Sequence, residues 1–268
     1  GCWAQRDPDL LKEAIPRLDA IVGTRAWPSI GDAVEQLQEP GQESPITWLG
    51  GPSLLMPEEA GAPGYTLAGA SAFLKIADGC SRRCTFCAIP LIKGPYISRP
   101  LEVILSEARA LQARGVLEIN LIAQDSTLYG HDLGMQHGIE TLLEQLVTEV
   151  PDVPWIRMLY AYPGYITPRL IEMLDRYPQL LRYVDIPLQH AHPDVLQRMQ
   201  RPADMAWVRE TVRRLREVIP GVAIRTAFIV GFPGETDEEF QTLLDFVEEM
   251  RFDRLGAFIY SHEQDTSA

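Results

Sequence analysis

From residue 70 to residue 260 the sequence alternates between two hydrophobic periods, and this restricts the fold more than any other feature. Short runs rich in β-branched and aromatic residues cover 72–76, 118–123, 155–160, 183–188, 223–230 and 254–260. Longer segments with helical spacing lie between them, over 101–115, 139–150, 168–177, 193–199, 207–218 and 238–250. In the first of these, Leu101, Ile104, Leu105, Ala108 and Leu111 recur on one helical face and Gly115 ends it. Pro100 suits the first helical position, and Ser98 is available as a cap. Strand and helix in regular alternation bury a parallel sheet beneath its own helices. Six such units predict an α/β chain with a partial parallel (β/α)6 barrel over 70–268. In parallel barrels chemistry gathers at the carboxyl ends of the strands. The loops that follow the strands are therefore the places to search.

Ahead of the barrel the pattern changes. A helix from Asp7-Pro8 to about Ile15, a strand over 20–23 and a helix over 30–37 read as the end of an α/β amino-terminal domain over 1–38. Residues 39–69 carry Pro40, Gly41, Pro45, Gly50, Gly51, Pro52, Pro57, Gly61, Pro63 and Gly64 with no helix or strand period, which reads as a linker. The chain opens on Gly1 rather than Met and stops at Ala268 just after a strand, so both ends are expected to be cut. At 268 residues and 46% hydrophobic content it can bury a sizeable core. No run approaches the roughly 20 apolar residues that span a membrane, and no signal peptide is visible.

Three of the four cysteines fall in Cys80-Ser81-Arg82-Arg83-Cys84-Thr85-Phe86-Cys87, directly after the first barrel strand. Thiolates gathered this closely select an iron–sulfur cluster, zinc or copper. A structural zinc site wants four ligands, usually in two pairs, and no obvious fourth follows here. Three thiolates on a four-iron cube leave one iron open to a small molecule. A three-cysteine zinc site completed by a distant histidine, or buried thiols without a metal, remain the alternatives. The cysteine count does not make a disulfide framework and implies a reducing compartment, the cytoplasm.

The stretch from Lys75 through Cys80 to Cys87-Ala-Ile-Pro90 resembles the signature loop of the radical S-adenosylmethionine enzymes. The runs Ile92-Lys-Gly-Pro-Tyr-Ile-Ser-Arg-Pro100 and Ile122-Ala-Gln-Asp-Ser-Thr-Leu-Tyr-Gly130 resemble the methylthiotransferase branch of that superfamily. The resemblance covers nearly the whole chain. It implies that Cys80, Cys84 and Cys87 hold a four-iron four-sulfur cluster whose open iron chelates S-adenosylmethionine. It also implies that Phe86 lies near the adenine. Gly1-Cys2-Trp3-Ala4-Gln5-Arg6 matches the motif that supplies the third ligand of a second cluster, Cys2, whose two earlier ligands would precede residue 1. The intact protein would then carry two such clusters.

Each later strand end adds candidates. Gln124 and Asp125 close the second strand where the superfamily receives the amino group of S-adenosylmethionine; otherwise they are ordinary loop caps. Gln189 follows the fourth strand and faces the mouth if that strand reading is right. His190 and His192 next to it form a His-x-His pair that binds metal, lines a polar pocket or caps a helix. Arg225 and Gly231 mark the fifth strand and its glycine-bearing turn, which resembles the adenine-binding edge; Arg225 contacts the cofactor or forms a structural ion pair. Lys93 and Arg99 are candidate surface contacts. No catalytic residue is expected beyond the clusters.

Tyr160-Ala-Tyr-Pro163 and Gln189-His190-Ala191 look more like the branch that modifies an aspartate of ribosomal protein S12 than the branch that modifies transfer RNA. The resemblance implies that an external donor reduces the cluster, a deoxyadenosyl radical abstracts hydrogen from the aspartate β-carbon, and the second cluster delivers sulfur. A formal charge of −13 disfavours polyanions and favours basic partners. The alternatives are a transfer RNA methylthiotransferase and a non-catalytic iron–sulfur or zinc module.

Overall fold

The computed structural model describes residues 1–39, 45–50 and 69–268. In chain order the helices and strands are α1 (Cys2–Arg6), α2 (Pro8–Ala14), β1 (Ala20–Val22), α3 (Ile30–Leu37), β2 (Ile46–Trp48), β3 (Ser71–Lys75), β4 (Ala77–Asp78), α4 (Ile89–Lys93) and β5 (Ile97–Ser98). Then follow α5 (Leu101–Ala113), β6 (Glu118–Ile122), α6 (Gly138–Glu149), β7 (Trp155–Met158), α7 (Pro168–Arg176), β8 (Tyr183–Asp185), α8 (Pro193–Arg198), α9 (Met205–Val218), β9 (Ala223–Val230), α10 (Asp237–Met250) and β10 (Arg254–Ile259). The chain forms two compact units. The described residues of the first are 1–39, 45–50, 78–82 and 88–97; those of the second are 69–77, 83–87 and 98–268.

In the first unit β1 and β2 pair in parallel, with Ala20 opposite Ile46 and Val22 opposite Trp48. Ile21, Ala33 and Ile46 supply buried apolar contacts beneath them. Strand β2 lies in the segment expected to have no period; three residues are too few to show one. Residues 40–44 and 51–68 of that segment lie outside the described residues. Gly79 has φ +74, and a Cβ there would meet the Pro95 carbonyl oxygen at 2.0 Å, so only glycine lets the chain turn toward Cys80. Beside it the buried Asp78 carboxylate accepts from the Gly79 N–H at 2.9 Å and pairs with Lys93 Nζ at 3.2 Å. Lys93 is thus a strut of this turn rather than a solvated contact.

The second unit carries the barrel strands in two parallel sheets, β3-β6-β7 and β8-β9-β10. Backbone hydrogen bonds from Ile156 N–H to Gln179 at 2.8 Å and from Leu181 N–H to Ile156 at 3.0 Å join them across β7. The six strands therefore run in sequence order, as the alternation predicts. Among the described residues no strand joins β10 back to β3, so the barrel is partial. Alternate side chains of β3, β6, β7, β8 and β9, among them Leu74, Ile119, Leu121, Ile156, Met158, Val184, Ile224 and Phe228, are almost wholly buried, whereas β10 buries none. Each such side chain stabilises the fold by about 1.5–3 kcal/mol. Helix α5 adds Ile104, Leu105, Ala108 and Leu111 at the spacing that predicted it.

Four local expectations change. Pro100 is the N-cap of α5 rather than its first residue. Ser98 does not cap that helix: its hydroxyl donates to Asp132 at 2.6 Å and accepts from the Gly130 N–H at 2.9 Å. Arg99 is buried against Glu107 at 2.7 Å and the Lys75 carbonyl at 2.6 Å, so these partners take it up in place of solvent. Strand β8 stops at Asp185, since Pro187 has no N–H to offer the ladder.

The other face of the strands is polar and closed on itself. Ser71 donates to Glu118 at 2.7 Å, and Arg157 grips the same carboxylate through Nε at 2.9 Å and Nη2 at 2.7 Å. The Arg157 guanidinium lies 4.7 Å from the centroid of Tyr183, and Arg225 Nη1 donates to Asp185 at 3.0 Å. Burial works against the Glu118 carboxylate, but Ser71 and Arg157 more than offset it and hold its pKa below the ordinary 4.5. Burial dominates at Asp185 and raises its pKa despite Arg225.

Candidate functional site

Above the polar layer, the carboxyl ends of the strands form the mouth of the second unit. Two residues there hold left-handed backbone without being glycine: Tyr160 after β7, with φ +59, and Gln189 after β8, with φ +75. Such conformations cost about 1–3 kcal/mol and persist only where neighbours enforce them. Tyr160 is enforced on both sides, since its N–H faces Asp185 Oδ2 at 3.4 Å and its carbonyl accepts from Ser126 at 3.0 Å. Gln189 accepts from the Ile229 N–H and donates to the Ala227 carbonyl, which splices it onto β9 in place of a continuous strand. Its backbone, rather than a pleat direction, sets where its side chain goes.

The expected cofactor residues fall at these ends. Gln124 follows β6 with its Oε1 buried and without a hydrogen-bond partner. Asp125 is buried and accepts from the Thr127 hydroxyl at 2.7 Å, which in turn accepts from the Tyr162 N–H at 3.1 Å. Gly231, with φ +71, turns the chain after β9, and nothing lies within 4 Å of where its Cβ would be. Arg225 sits three residues into β9 and is committed to Asp185, so it belongs to the polar layer below the mouth.

The cysteines are placed as follows. None of the four is in a disulfide. Cys2 begins α1 and is exposed. Cys80 belongs to the first unit, where its N–H donates to the Gly94 carbonyl at 3.0 Å and its Sγ accepts from the Arg82 N–H at 3.4 Å. Cys84 and Cys87 belong to the second unit, linked by a tight turn in which the Cys87 N–H reaches the Cys84 carbonyl at 3.1 Å. Thr85 inside that turn is clamped to the end of α8, donating through its N–H to Met199 O at 3.1 Å and through its hydroxyl to Arg198 O at 3.0 Å. Phe86 packs on the buried trio Val195, Met199 and Phe232, the last being the neighbour of Gly231.

The His-x-His pair does structural work. His192 is the N-cap of α8 and its Nδ1 accepts from the Asp194 N–H at 3.2 Å. His190 is fully buried; its Nδ1 accepts from the His192 N–H at 3.0 Å, which leaves Nε2 to donate to Glu235 at 3.2 Å. Burial lowers its pKa, with Glu235 opposing, and the ring stays neutral. Glu235 also accepts from the Phe232 N–H at 2.9 Å, so the pair pins the turn after β9 to the end of β8. His192, Asp194 and Glu239 converge closely enough for a metal, but Glu239 is already gripped by Arg198 at 2.8 and 3.0 Å and closes the capping box of α10.

The sequence reading missed Arg201, Thr85 and Glu235. Their partners lie 117, 113 and 45 residues away along the chain, so no local spacing marks them.

An open parallel barrel with a three-cysteine loop after its first strand defines a class, and the comparisons agree. The model of the radical SAM superfamily matches residues 74–247, and the chain belongs to that superfamily. Within it, the chain is 45% identical over 272 residues to the ribosomal protein uS12 methylthiotransferase RimO of Geobacter sulfurreducens, covering 100% of this chain and 59% of the relative. It is also 45% identical over 293 residues to the protein of the same name from Herpetosiphon aurantiacus, covering 100% and 62%. The chain thus spans about three fifths of the length of these curated relatives. Among solved structures, the radical S-adenosylmethionine methyltransferase TsrM of Kitasatospora setae matches with TM-score 0.57 at 21% identity, over 70% of this chain and 34% of that one. Coproporphyrinogen III oxidase (HemN) of Escherichia coli matches with TM-score 0.55 at 18% identity, over 72% and 44%. These last two speak for the fold alone.

The family implies a four-iron four-sulfur cluster and S-adenosylmethionine. The residues present fit both. Three thiols stand outside disulfides in one short loop, the buried Gln124 Oε1 has no protein partner, and Gly231 leaves open space beside the Phe86 cluster. No helix among the described residues is long and apolar enough to cross a membrane.

Proposed function

We propose that the full-length protein is a methylthiotransferase that adds a methylthio group to the β-carbon of an aspartate in ribosomal protein S12. The observation that carries this reading is 45% identity along the entire chain to proteins bearing that name. When bound, the cluster and S-adenosylmethionine supply the radical needed to open a C–H bond that no base removes at neutral pH. Cys80, Cys84 and Cys87 hold the cluster, on the strength of their C-x3-C-x2-C spacing. Phe86 offers an apolar wall to the adenine, and Gln124 offers its unpartnered carbonyl to a donor such as an ammonium group. Asp125, Gln189 and Gly231 line the same mouth, while Arg225 acts from below by fixing Asp185 and, through it, Tyr160. Cys2 ligates a second cluster whose other ligands lie outside this chain. Residues 1–38 belong to the domain that holds it, 39–69 link it onward, and 70–268 form the radical core. An external donor supplies the electron. The acidic surface, −13 overall, favours a basic ribosomal protein over transfer RNA.

Full-length enzyme, reconstituted and reduced, should be offered S12 and transfer RNA in one reaction, with products read by mass spectrometry. A methylthio mass on an S12 aspartate is the expected result. The same mass on transfer RNA with S12 unchanged overturns the assignment.

A further inference from the structure

Arg201 stands apart from most arginines of the second unit. Arg99, Arg109, Arg157, Arg198, Arg209, Arg213 and Arg225 all pair with carboxylates, whereas no ion pair among the described residues includes Arg201. Yet it is only partly exposed, its Nε is buried without a partner, and it is held on three sides. Its Nη2 donates to the Pro187 carbonyl. Its plane covers the Tyr162 ring at 4.3 Å from the centroid. Its Nη1 points at Cys84 Sγ from 3.9 Å, within range for a donor to sulfur. A partly buried cation is favoured by an anion held close to it, and the contact left for one here is on the sulfur side. A thiolate bound to a cluster is such an anion. Pro187 follows the interrupted strand β8 and Tyr162 follows β7, so two strand ends hold the charge in place.

We infer that Arg201 is a positioning residue for the cluster: it holds a positive charge and an N–H donor against Cys84 Sγ and so makes the cluster easier to reduce. The inference rests on Cys84 being a cluster ligand. One electron from an external donor converts the oxidised cluster, with net charge −1 when three thiolates surround a 2+ core, into a reduced one of −2, and no proton moves. A fixed cation beside the sulfur favours the more negative state, which is one of the ordinary levers on such potentials. Tyr162 and Pro187 keep the guanidinium from swinging into water, where the effect would be screened.

The test uses full-length protein, anaerobically reconstituted, as wild type, R201M, R201K and Y162L. Each is titrated with dithionite, and the paramagnetic signal that changes on adding S-adenosylmethionine is followed. Iron content and thermal unfolding are recorded in parallel. R201M should lower the reduced-to-oxidised ratio at a fixed potential about tenfold, equivalent to about 59 mV for one electron. R201K should recover most of that shift, and Y162L should show a smaller shift in the same direction. Should R201M fail to load iron, R201K and Y162L carry the decision. Loaded variants that titrate like wild type, or R201K shifted as far as R201M, overturn the inference. A C84A protein that still binds about four irons in that signal overturns the ligand reading beneath it instead, so the two failures are distinguishable.

Discussion

Two polar layers lie one above the other in the barrel unit, and they are built to opposite rules. In the strand bodies every partner is matched: Ser71 and Arg157 saturate Glu118, and Arg225 answers Asp185. At the strand ends the matching stops. Gln124 Oε1 and Arg201 Nε are buried without partners, and Tyr160 and Gln189 hold left-handed backbone. Unsatisfied polar atoms and strain both cost stability, so a sequence retains them only where something else uses them. The lower layer holds the strands in register; the upper one is left open for what binds.

The contrast predicts how substitutions separate. The largest effect belongs to the cysteine loop. Replacing Cys80, Cys84 or Cys87 singly by Ala should remove the cluster's iron and its absorption after reconstitution, while the thermal midpoint of protein not yet loaded with iron hardly moves. Cys2→Ala should leave that cluster in place. Retention in any one of the three of that cluster's own iron, beyond the roughly four irons a second cluster holds, would erase the distinction at its strongest point.

Arg157→Met should do the reverse. It leaves Glu118 with only the neutral partners Ser71 and Asn120, at a cost of about 1–3 kcal/mol for a partly buried acceptor losing its charged donor. Calorimetry should show a midpoint lower by about 2–10 °C for a domain of this size, with S-adenosylmethionine affinity in the folded enzyme unchanged. The pH dependence supplies a finer check. The folded pKa of Glu118 lies below its unfolded value, so its contribution is complete above about 4.5 and fades as pH falls through the folded pKa. Wild type should therefore lose more stability on acidification than Arg157→Met. Parallel stability curves would count against the lower layer's role.

Gln124→Met should have the smallest effect. It removes a buried acceptor that no protein group uses, so the midpoint should hold or rise slightly. S-adenosylmethionine affinity, read by calorimetric titration, should fall about tenfold, the value of one lost hydrogen bond of about 1.4 kcal/mol. A lower midpoint with unchanged affinity would place Gln124 with the structural layer.

Much of this architecture was readable from the chain. The barrel strands and their helices follow from local period, and the cysteine loop falls where a strand-end rule puts it. The misreadings share a cause. Pro187 ends β8 early because a missing donor matters only once a partner strand is present. Ser98, Lys93 and Arg99 read as a cap and two surface charges, but Asp132, Asp78 and Glu107 take them up. Arg201 was invisible because its meaning lies in Cys84, 117 residues earlier. Periodicity reports which face is buried; it carries no record of which polar groups meet once burial has occurred.

The clamp on Thr85 has a consequence for synthesis. The barrel strands pair in the order in which they leave the ribosome, so each can dock on its predecessor through contacts that are local along the chain. The cysteine turn cannot follow this schedule. It emerges with the first strand, yet the carbonyls that steady it belong to Arg198 and Met199 at the end of α8. At about 5–20 residues per second, the turn waits several seconds with its thiols exposed. A site that finishes late in this way is suited to receiving an oxygen-sensitive cargo after the scaffold stands.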